Sequence, residues 1–514
     1  MKTITVKNFH AGITNDIYSG NIGEFAIAKQ FDTLTYPNRL QPLRGMANDT
    51  GSTAIGNIIV ASDGLMYGIG DNGSSASKLW QRSGYGASDV WQAIPTTSQV
   101  GGAVPKYNLL VEYVEVGTTP ATDRTMFWAE TGNIRRGNKL GASSSTNDAL
   151  TFTNIGQGLV HPKDKILYIP YDNKIATYAL STTLNSAQFT LPAEYVIPCL
   201  SYFGNYLAIP GYSSASNRGS VVYLSDRDTS VTTFAESINW GAGQLRVLNN
   251  LEGVLIGIST NSSNTNGSVQ DSDSVYIKGY SGGGEPFVIK EIKAQHLTSS
   301  GQPSVSINQN VNFVYKNRLY FSVNIVPNDG VSNSYYGLWS VGRNKITGQY
   351  SVTMERVATN SNTETGVLAA AISGDFVSMA HTAVGTLTCT INGQTSATSY
   401  GATSIYESVI NPGMEGADRI LDKQLDTFSI HCQPLTTGQQ IIAKYRVDSI
   451  GSWTTIFTKT PSSPDTKLTV CESSTAGGTQ FTSGRNYEFR LESTGGAVIT
   501  GFSYKYHTNQ SQLN

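Results

Sequence analysis

The stretch Ser62-Asp63-Gly64-Leu65-Met66-Tyr67 sets turn-forming residues directly ahead of a short apolar run that ends on an aromatic. Asp and Gly favour the tight turn of a hairpin, and the run after them has strand length and composition. The phrase returns as Lys163-Asp164-Lys165-Ile166-Leu167-Tyr168, Phe203-Gly204-Asn205-Tyr206-Leu207-Ala208 and Leu251-Glu252-Gly253-Val254-Leu255-Ile256. It appears twice more, as Tyr315-Lys316-Asn317-Arg318-Leu319-Tyr320 and Ser373-Gly374-Asp375-Phe376-Val377-Ser378. A degenerate copy, Thr125-Met126-Phe127-Trp128, fills the gap after the first. With Met66, Phe127, Leu167, Leu207, Leu255, Leu319 and Val377 taken as equivalent, the intervals are 61, 40, 40, 48, 64 and 58. A four-stranded propeller blade takes roughly 40–50 residues. The longer intervals carry polar inserts such as Asn261–Asp273 and Asn328–Tyr336. Seven copies predict an all-β protein with a seven-bladed β-propeller over residues 51–408, each phrase a hairpin entering an inner strand; stacked sandwiches are the competing arrangement.

The flanks differ from this repeat. From residue 409 to 514, strand candidates follow at sandwich-like spacing: Leu421–Cys432, Gln440–Asp448, Trp453–Lys459, Lys467–Glu472, Tyr487–Glu492 and Ala497–His507. Tyr487-Glu488-Phe489-Arg490-Leu491-Glu492 alternates, with Tyr, Phe and Leu on one face and charges on the other. A C-terminal β-sandwich, jelly-roll or Ig-like, is expected. Residues 1–50 fit neither pattern. Prolines extend Tyr36–Gly45, and Ile13, Tyr18, Ile22, Phe25, Ile27, Phe31 and Leu34 are too widely spaced for a core of their own. An extended N-terminal arm is predicted, lying on the propeller or on a neighbouring subunit. Removing residues 2–45 should then leave a folded β protein that no longer assembles.

Composition narrows the function. Of 514 residues only 14% are charged, with a formal net charge of −2, against roughly 25% charged in an average soluble protein. Such a balance gives no general electrostatic drive toward nucleic acid or anionic membrane. Apolar content is ordinary, so the surface has exchanged charge for Ser, Thr, Asn, Gly and Tyr. Met1–Asn21 has no continuous apolar stretch, and the mildly apolar run Val367–Ala380 is interrupted and shorter than the ~20 residues of a membrane span. No secretory leader and no membrane insertion are expected. Four cysteines (Cys199, Cys389, Cys432, Cys471) are too scattered for a disulfide scaffold; Cys432 and Cys471 share a segment, and buried thiols are the simpler reading. A particle assembled in a host cytoplasm and then released reconciles an exposure-ready surface with the missing leader.

Against that background the chain resembles the β-propeller structural proteins of tailed bacteriophages, including tail-nozzle and other minor virion components. The resemblance rests on Asn8-Phe9-His10-Ala11-Gly12-Ile13, Ala28-Lys29-Gln30-Phe31-Asp32, Leu40-Gln41-Pro42-Leu43-Arg44-Gly45 and Ala61-Ser62-Asp63-Gly64-Leu65-Met66-Tyr67-Gly68. It implies a non-enzymatic subunit of a symmetric virion assembly, in the tail or head–tail region, partnered by its own copies and neighbouring virion proteins.

Residues that carry chemistry add little to an enzyme reading. Six histidines (His10, His161, His296, His381, His431, His507) are dispersed, without the spacing of a metal-binding helix. Gly211-Tyr212-Ser213-Ser214-Ala215 lacks the second glycine of a nucleophile elbow, and Ser281-Gly282-Gly283-Gly284 has no Gly-Lys-Ser/Thr after it. Asp226 with Asp228, and Asp271 with Asp273, are the close acidic pairs. They are read first as turn formers, second as calcium ligands, and third as the paired carboxylates of a glycosidase. No catalytic residue, metal site or cofactor is assigned. Trp80, Tyr85, Trp91, Tyr335 and Tyr336 lie in Gly/Ser/Asn-rich stretches that suit host-glycan stacking, a carbohydrate- or receptor-binding alternative set against core packing. Arg135-Arg136-Gly137-Asn138-Lys139 is read as a solvated turn, or as a lumen-facing loop in transient contact with packaged DNA.

Overall fold

A computed structural model of the chain describes residues 1–508 except 15, 19–22, 50–54, 72–76, 86–88, 95–102, 104, 115–123, 139–145, 180–183, 214–218, 228–233, 261–273, 294–303, 327–334, 358–363, 384–385, 393–402 and 462–468. The chain divides into two compact units, residues 47–338 with 358–394, and residues 1–46 with 339–357 and 395–514.

The first unit is a ring of seven small antiparallel sheets. Sheet 1 runs Ile55–Val60, Met66–Asp71, Ser77–Arg82, Trp91–Ala93, and sheet 2 runs Pro105–Val114, Arg124–Glu130, Asn133–Asn138, Thr146–Ala149. Sheet 3 is Leu159–Val160, Leu167–Tyr171, Lys174–Tyr178, Asn185–Thr190. Sheet 4 sets Tyr195–Val196 and Ser201–Phe203 against Tyr206–Ser213, followed by Ser220–Ser225 and Glu236–Gly241. Sheet 5 is Gln244–Leu251, Val254–Thr260, Ser274–Tyr280, Phe287–Lys293. In sheet 6, Ser304–Ser306 and Asn312–Tyr315 both pair with Arg318–Val326, and the start of Tyr335–Arg343 follows. Sheet 7 is Glu364–Ser373, Phe376–Ala383, Thr386–Asn392, and its fourth strand is Met46–Asn48, brought from the other end of the sequence. The apolar run Val367–Ala380 is therefore a hairpin of sheet 7.

The recurring phrase occupies one place in this plan. Each of its six full copies turns the first strand of a sheet into the second, and all seven equivalenced residues fall in second strands. The reason is backbone geometry: these turns need φ > 0, which Gly and Asn supply at least cost. Gly64, Gly204, Gly253, Asn317 and Gly374 have φ of 82°, 57°, 81°, 58° and 61°. Lys165, at φ 59°, holds the same conformation without that freedom. There Asp164 compensates, its Oδ1 accepting the Ile166 N–H at 3.0 Å and its Oδ2 the Tyr168 hydroxyl at 3.0 Å. Asp63 does the same with Leu65 and Tyr67, again at 3.0 Å each.

Apolar packing joins consecutive sheets. Tyr67, Ile69 and Leu79 meet Leu110, Met126 and Trp128 between sheets 1 and 2. Phe127 and Ile134 meet Leu167 and Tyr178 between sheets 2 and 3, and Val222 and Trp240 meet Leu245 and Tyr280 between sheets 4 and 5. Ile55, Met66 and Trp91 pack on Ala369, Ala371 and Ala380, so sheet 7 returns to sheet 1 and the ring closes. The same joint holds a buried ion pair: Arg82 Nε lies 2.9 Å from Asp49 Oδ2, and both side chains are 0% exposed. Arg82 also donates to the carbonyls of Gly84 and Asp89, while the Asp49 N–H reaches the Cys389 carbonyl at 2.9 Å. Both charges of the pair are therefore met by partners, the condition under which a buried pair is tolerated.

The second unit is a two-sheet sandwich. One sheet has the order Lys2–Val6, Ile499–Thr508, Lys423–Cys432, Thr469–Ser473. The other has the order Tyr350–Val357, Glu24–Lys29, Ser404–Ser408, Tyr487–Thr494, Gln440–Val447, Ile450–Lys459. Its core is aromatic: Phe428 and Phe502 from the first sheet meet Phe489 and Tyr406 from the second, with centroids 4.8–6.1 Å apart. The alternation of residues 487–492 holds. Tyr487, Phe489 and Leu491 are fully buried, while Glu488 and Glu492 pair with Arg446 and Lys444 on the opposite face.

Residues 1–46 are extended, but the place expected for them is corrected. They group with residues 339–357 and 395–514 rather than with the propeller unit. They are strands of the sandwich, and Glu24–Lys29 sits in the interior of its larger sheet. Phe9, Phe25, Phe31 and Leu40 are at most 1% exposed, so an arm without a core of its own completes someone else's. Grouping by space thus cuts across the chain-order division 1–50, 51–408, 409–514. Among the described residues, no helix is long and apolar enough to cross a membrane.

Candidate functional site

The centre of a propeller is where its innermost strands converge, and here a turn from sheet 6 fills it. Asn308–Val311 lies between strands Ser304–Ser306 and Asn312–Tyr315 of that sheet, and the Asn308 side chain folds it by accepting the Asn310 N–H at 3.0 Å. Gln309 Nε2 then donates to the Ile155 carbonyl at the start of sheet 3, 3.1 Å away. Asn310 Nδ2 donates to the Tyr107 carbonyl in the first strand of sheet 2 at 3.0 Å, and Asn57 of sheet 1 donates to the same oxygen at 2.7 Å. Sheets 2 and 3 lie across the ring from sheet 6, so the turn spans the centre. Asn57, Gln309, Asn310 and Val311 are all buried. On the neighbouring side Asn312 Nδ2 holds the Leu248 carbonyl at 3.2 Å, and Asn249 donates to Asn312 at 3.0 Å. Neutral amides bonded to backbone carbonyls can brace a ring. They offer neither a nucleophile nor a proton-transfer pair.

A second polar cluster bridges sheets 3 and 4. Arg227 Nη1 lies 2.6 Å from Asp164 Oδ2 and 3.3 Å from His161 Nδ1, and Arg227 Nε donates to the Asn205 carbonyl at 2.8 Å. Burial opposes the Asp164 charge, yet the Ile166 N–H, Arg227 and Tyr168 outweigh it and hold the carboxyl below its ordinary range. Burial, reinforced by Arg227, lowers His161. Burial and the Asp164 carboxylate raise the Tyr168 phenol. Each of these groups is thereby fixed in its resting protonation state, which suits a brace between blades better than a proton carrier.

The other singled-out residues disperse. Asp226 is exposed, while Asp228, Asp271 and Asp273 lie outside the described residues. Trp91 is 3% exposed, and Tyr85 stacks on Phe376 at 4.9 Å and donates to the Gly64 carbonyl. Trp80 lies in strand Ser77–Arg82, and Tyr335 and Tyr336 in strand Tyr335–Arg343. The basic cluster is corrected from a turn to a strand, Asn133–Asn138. There Arg135 pairs with Glu130 at 2.8 Å and Arg136 with Asp148 at 3.1 Å, so both charges are answered inside the sheet; Lys139 is outside the described residues. His161 and His381 are buried, His507 faces Asp426 at 3.0 Å, and His296 is outside the described residues. Cys199, Cys389 and Cys432 are buried, and burial pushes the Cys199 thiol up to about 12. Among the described residues no group of three His, Cys, Asp or Glu could hold a metal ion.

Sequence reasoning passed over the residues that organise the ring's centre and its joint, namely Asn57, Gln309, Asn310, Asp49 and Arg82. The run Asn308-Gln309-Asn310-Val311-Asn312, four amides in five residues ahead of a strand, was the available signal.

No family model matches the chain, and no curated protein does. Among solved structures, the propeller domain of Myceliophteria thermophila Cps50 (Swd1) is 9% identical with a TM-score of 0.42, covering 68% of this chain and 99% of that one. A streptogramin B lyase is 11% identical with a TM-score of 0.39, covering 68% and 96%.

Proposed function

We propose that the protein is a non-enzymatic structural subunit of a bacteriophage virion, a tail or head–tail component of nozzle type that assembles into a symmetric ring. The observation that carries this reading is what the segments resembling the phage family do. Phe9, Ile13, Phe31 and Leu40, which lie in those segments, are at most 3% exposed and fill the sandwich core. The likeness therefore falls on residues that build architecture rather than on a site. The central turn supports the same reading. A propeller whose middle is closed by hydrogen-bonded amides is a rigid block, and rigid blocks lose little conformational freedom when ring symmetry repeats each modest contact. In such a ring, DNA passes through the opening enclosed by the copies, not through the centre of each propeller.

Imaging of particles tests this directly. The expected result is a closed ring of this chain in the tail or head–tail region. Absence from particles, or an outward-projecting position together with host-glycan binding by the isolated protein, would sink the proposal. Hydrolysis of a glycan that is lost in Asp226→Asn or Asp271→Asn would sink it as well.

A further inference from the structure

Asn411 and Lys423 flank the short 3-10 helix Gly416–Arg419 in the sandwich unit, and their side chains are buried at 2% and 0% exposure. Asn411 Nδ2 donates to the carbonyls of Arg419 at 3.1 Å and Arg485 at 3.0 Å. Lys423 Nζ donates to the same two carbonyls, at 3.5 Å for Arg419, and to the Leu421 carbonyl at 2.8 Å. Two nitrogens sharing two acceptors are neighbours. The Asn411 carbonyl is also engaged, its Oδ1 accepting the Tyr487 N–H at 2.9 Å. Both partners are held from several sides. Lys423 exchanges backbone bonds with Gly484 at 2.9 and 3.0 Å, and the Tyr487 hydroxyl donates to the Lys423 carbonyl at 3.1 Å.

This places a primary amine beside a side-chain amide, both buried and held by several hydrogen bonds, with a backbone N–H on the oxygen where negative charge would develop. We propose that Lys423 and Asn411 join in an intramolecular isopeptide bond. The neutral Lys423 amine attacks Asn411 Cγ, and the Oδ1 charge is held by the Tyr487 N–H. The Cγ–Nδ2 bond then breaks, and Nδ2 departs as ammonia with the proton that Nζ gives up. No oxidant or cofactor enters, since amine plus amide yields a substituted amide plus ammonia.

Electrostatics supply the reactive form. Burial lowers Lys423 to about 8, against the opposing pull of Asp418, Asp448 and Asp422 and with Arg485 adding to the fall. Roughly a tenth of the amines are therefore neutral at pH 7, enough for a single irreversible turnover. The bond would close the loop 411–423 and fasten the turn that carries Asp418, the partner of Lys2 at 2.6 Å and of Tyr506 at 2.6 Å.

The test is the intact mass of the full chain under denaturing conditions. The expected value is about 17 Da below the sequence mass, after allowance for the initiator methionine, the loss of one ammonia. A digest should yield a branched peptide joining the segments that contain Asn411 and Lys423. Lys423→Arg and Asn411→Ser should each regain the full mass, a readout that does not require the variant to fold. A wild-type chain at full sequence mass, or an ammonia loss that maps to other residues, overturns the proposal.

Discussion

The ring and the sandwich are both antiparallel β structure, yet they are assembled from the sequence in opposite ways. In the ring, each sheet is a consecutive stretch that packs on the sheet before and the sheet after, and among the described strands Met46–Asn48 alone comes from far away. In the sandwich, three segments share two sheets, the first parted from the second by residues 47–338 and the second from the third by residues 358–394, and an interior strand, Glu24–Lys29, comes from the beginning of the chain. The ring is thus a repeat with one long-range stitch, while the sandwich consists of long-range stitches. Damage should consequently stay local in the first and spread in the second.

The largest expected effect comes from deleting residues 2–45. This removes Glu24–Lys29 from between its neighbours together with the buried Phe9, Phe25, Phe31 and Leu40, so the sandwich should lose its fold outright. Hydrogen exchange should show protection lost across 404–508 and retained across 55–392. Equal loss in both regions would break the contrast between the units. Next is the ring's own stitch. Asp49→Ala strands the buried Arg82 charge and should cost about 3–5 kcal/mol in denaturant unfolding, confined to the ring.

A smaller effect follows from Lys29 in the sandwich. Burial lowers it to about 8, with Glu407 opposing and Arg490 adding to the fall. An unfolded lysine titrates near 10.4, so between about pH 8 and 10 the unfolded chain holds more protons, and stability must rise with pH. Below pH 8 the lysine is charged in both states and the full cost of burying that charge remains. The Lys29 contribution should be on the order of 1–2 kcal/mol after solvent screening, and the rise should shrink by that amount in Lys29→Met. Unfolding curves across that range measure it. The smallest effect should be Tyr168→Phe, which removes one hydrogen bond to Asp164 and should cost about 1 kcal/mol without disturbing the sandwich.

The repeat was readable because its hairpins demand particular residues. A turn with φ > 0 selects Gly or Asn, and the second strand that follows is buried on both faces, so Gly64-Leu65-Met66 and Gly253-Val254-Leu255 look alike wherever they occur. The strands of residues 421–507 were readable by alternation to within a few residues. What escaped was partnership. Nothing in Glu24-Phe25-Ala26-Ile27-Ala28-Lys29 names Ser404–Ser408 as its neighbour, because pairing at that separation leaves no periodic mark. Candidate sites suffered in the same way. Asp226 and the histidines drew attention through their chemical type, whereas Gln309 and Asn310 matter through position, reaching carbonyls on the far side of the ring.

Placing Glu24–Lys29 beside Ser404–Ser408 also sets a schedule for biosynthesis. At roughly 5–20 residues per second, the ribosome needs about 20–75 seconds to travel from the first of these strands to the second. Through that interval Phe9, Phe25 and Phe31 have left the tunnel without the sheet that will shelter them, while the blades behind them can already be stacking. The opening segment is therefore the natural client of a chaperone. The yield of correctly folded protein should depend more on that waiting period than on how fast the propeller itself forms.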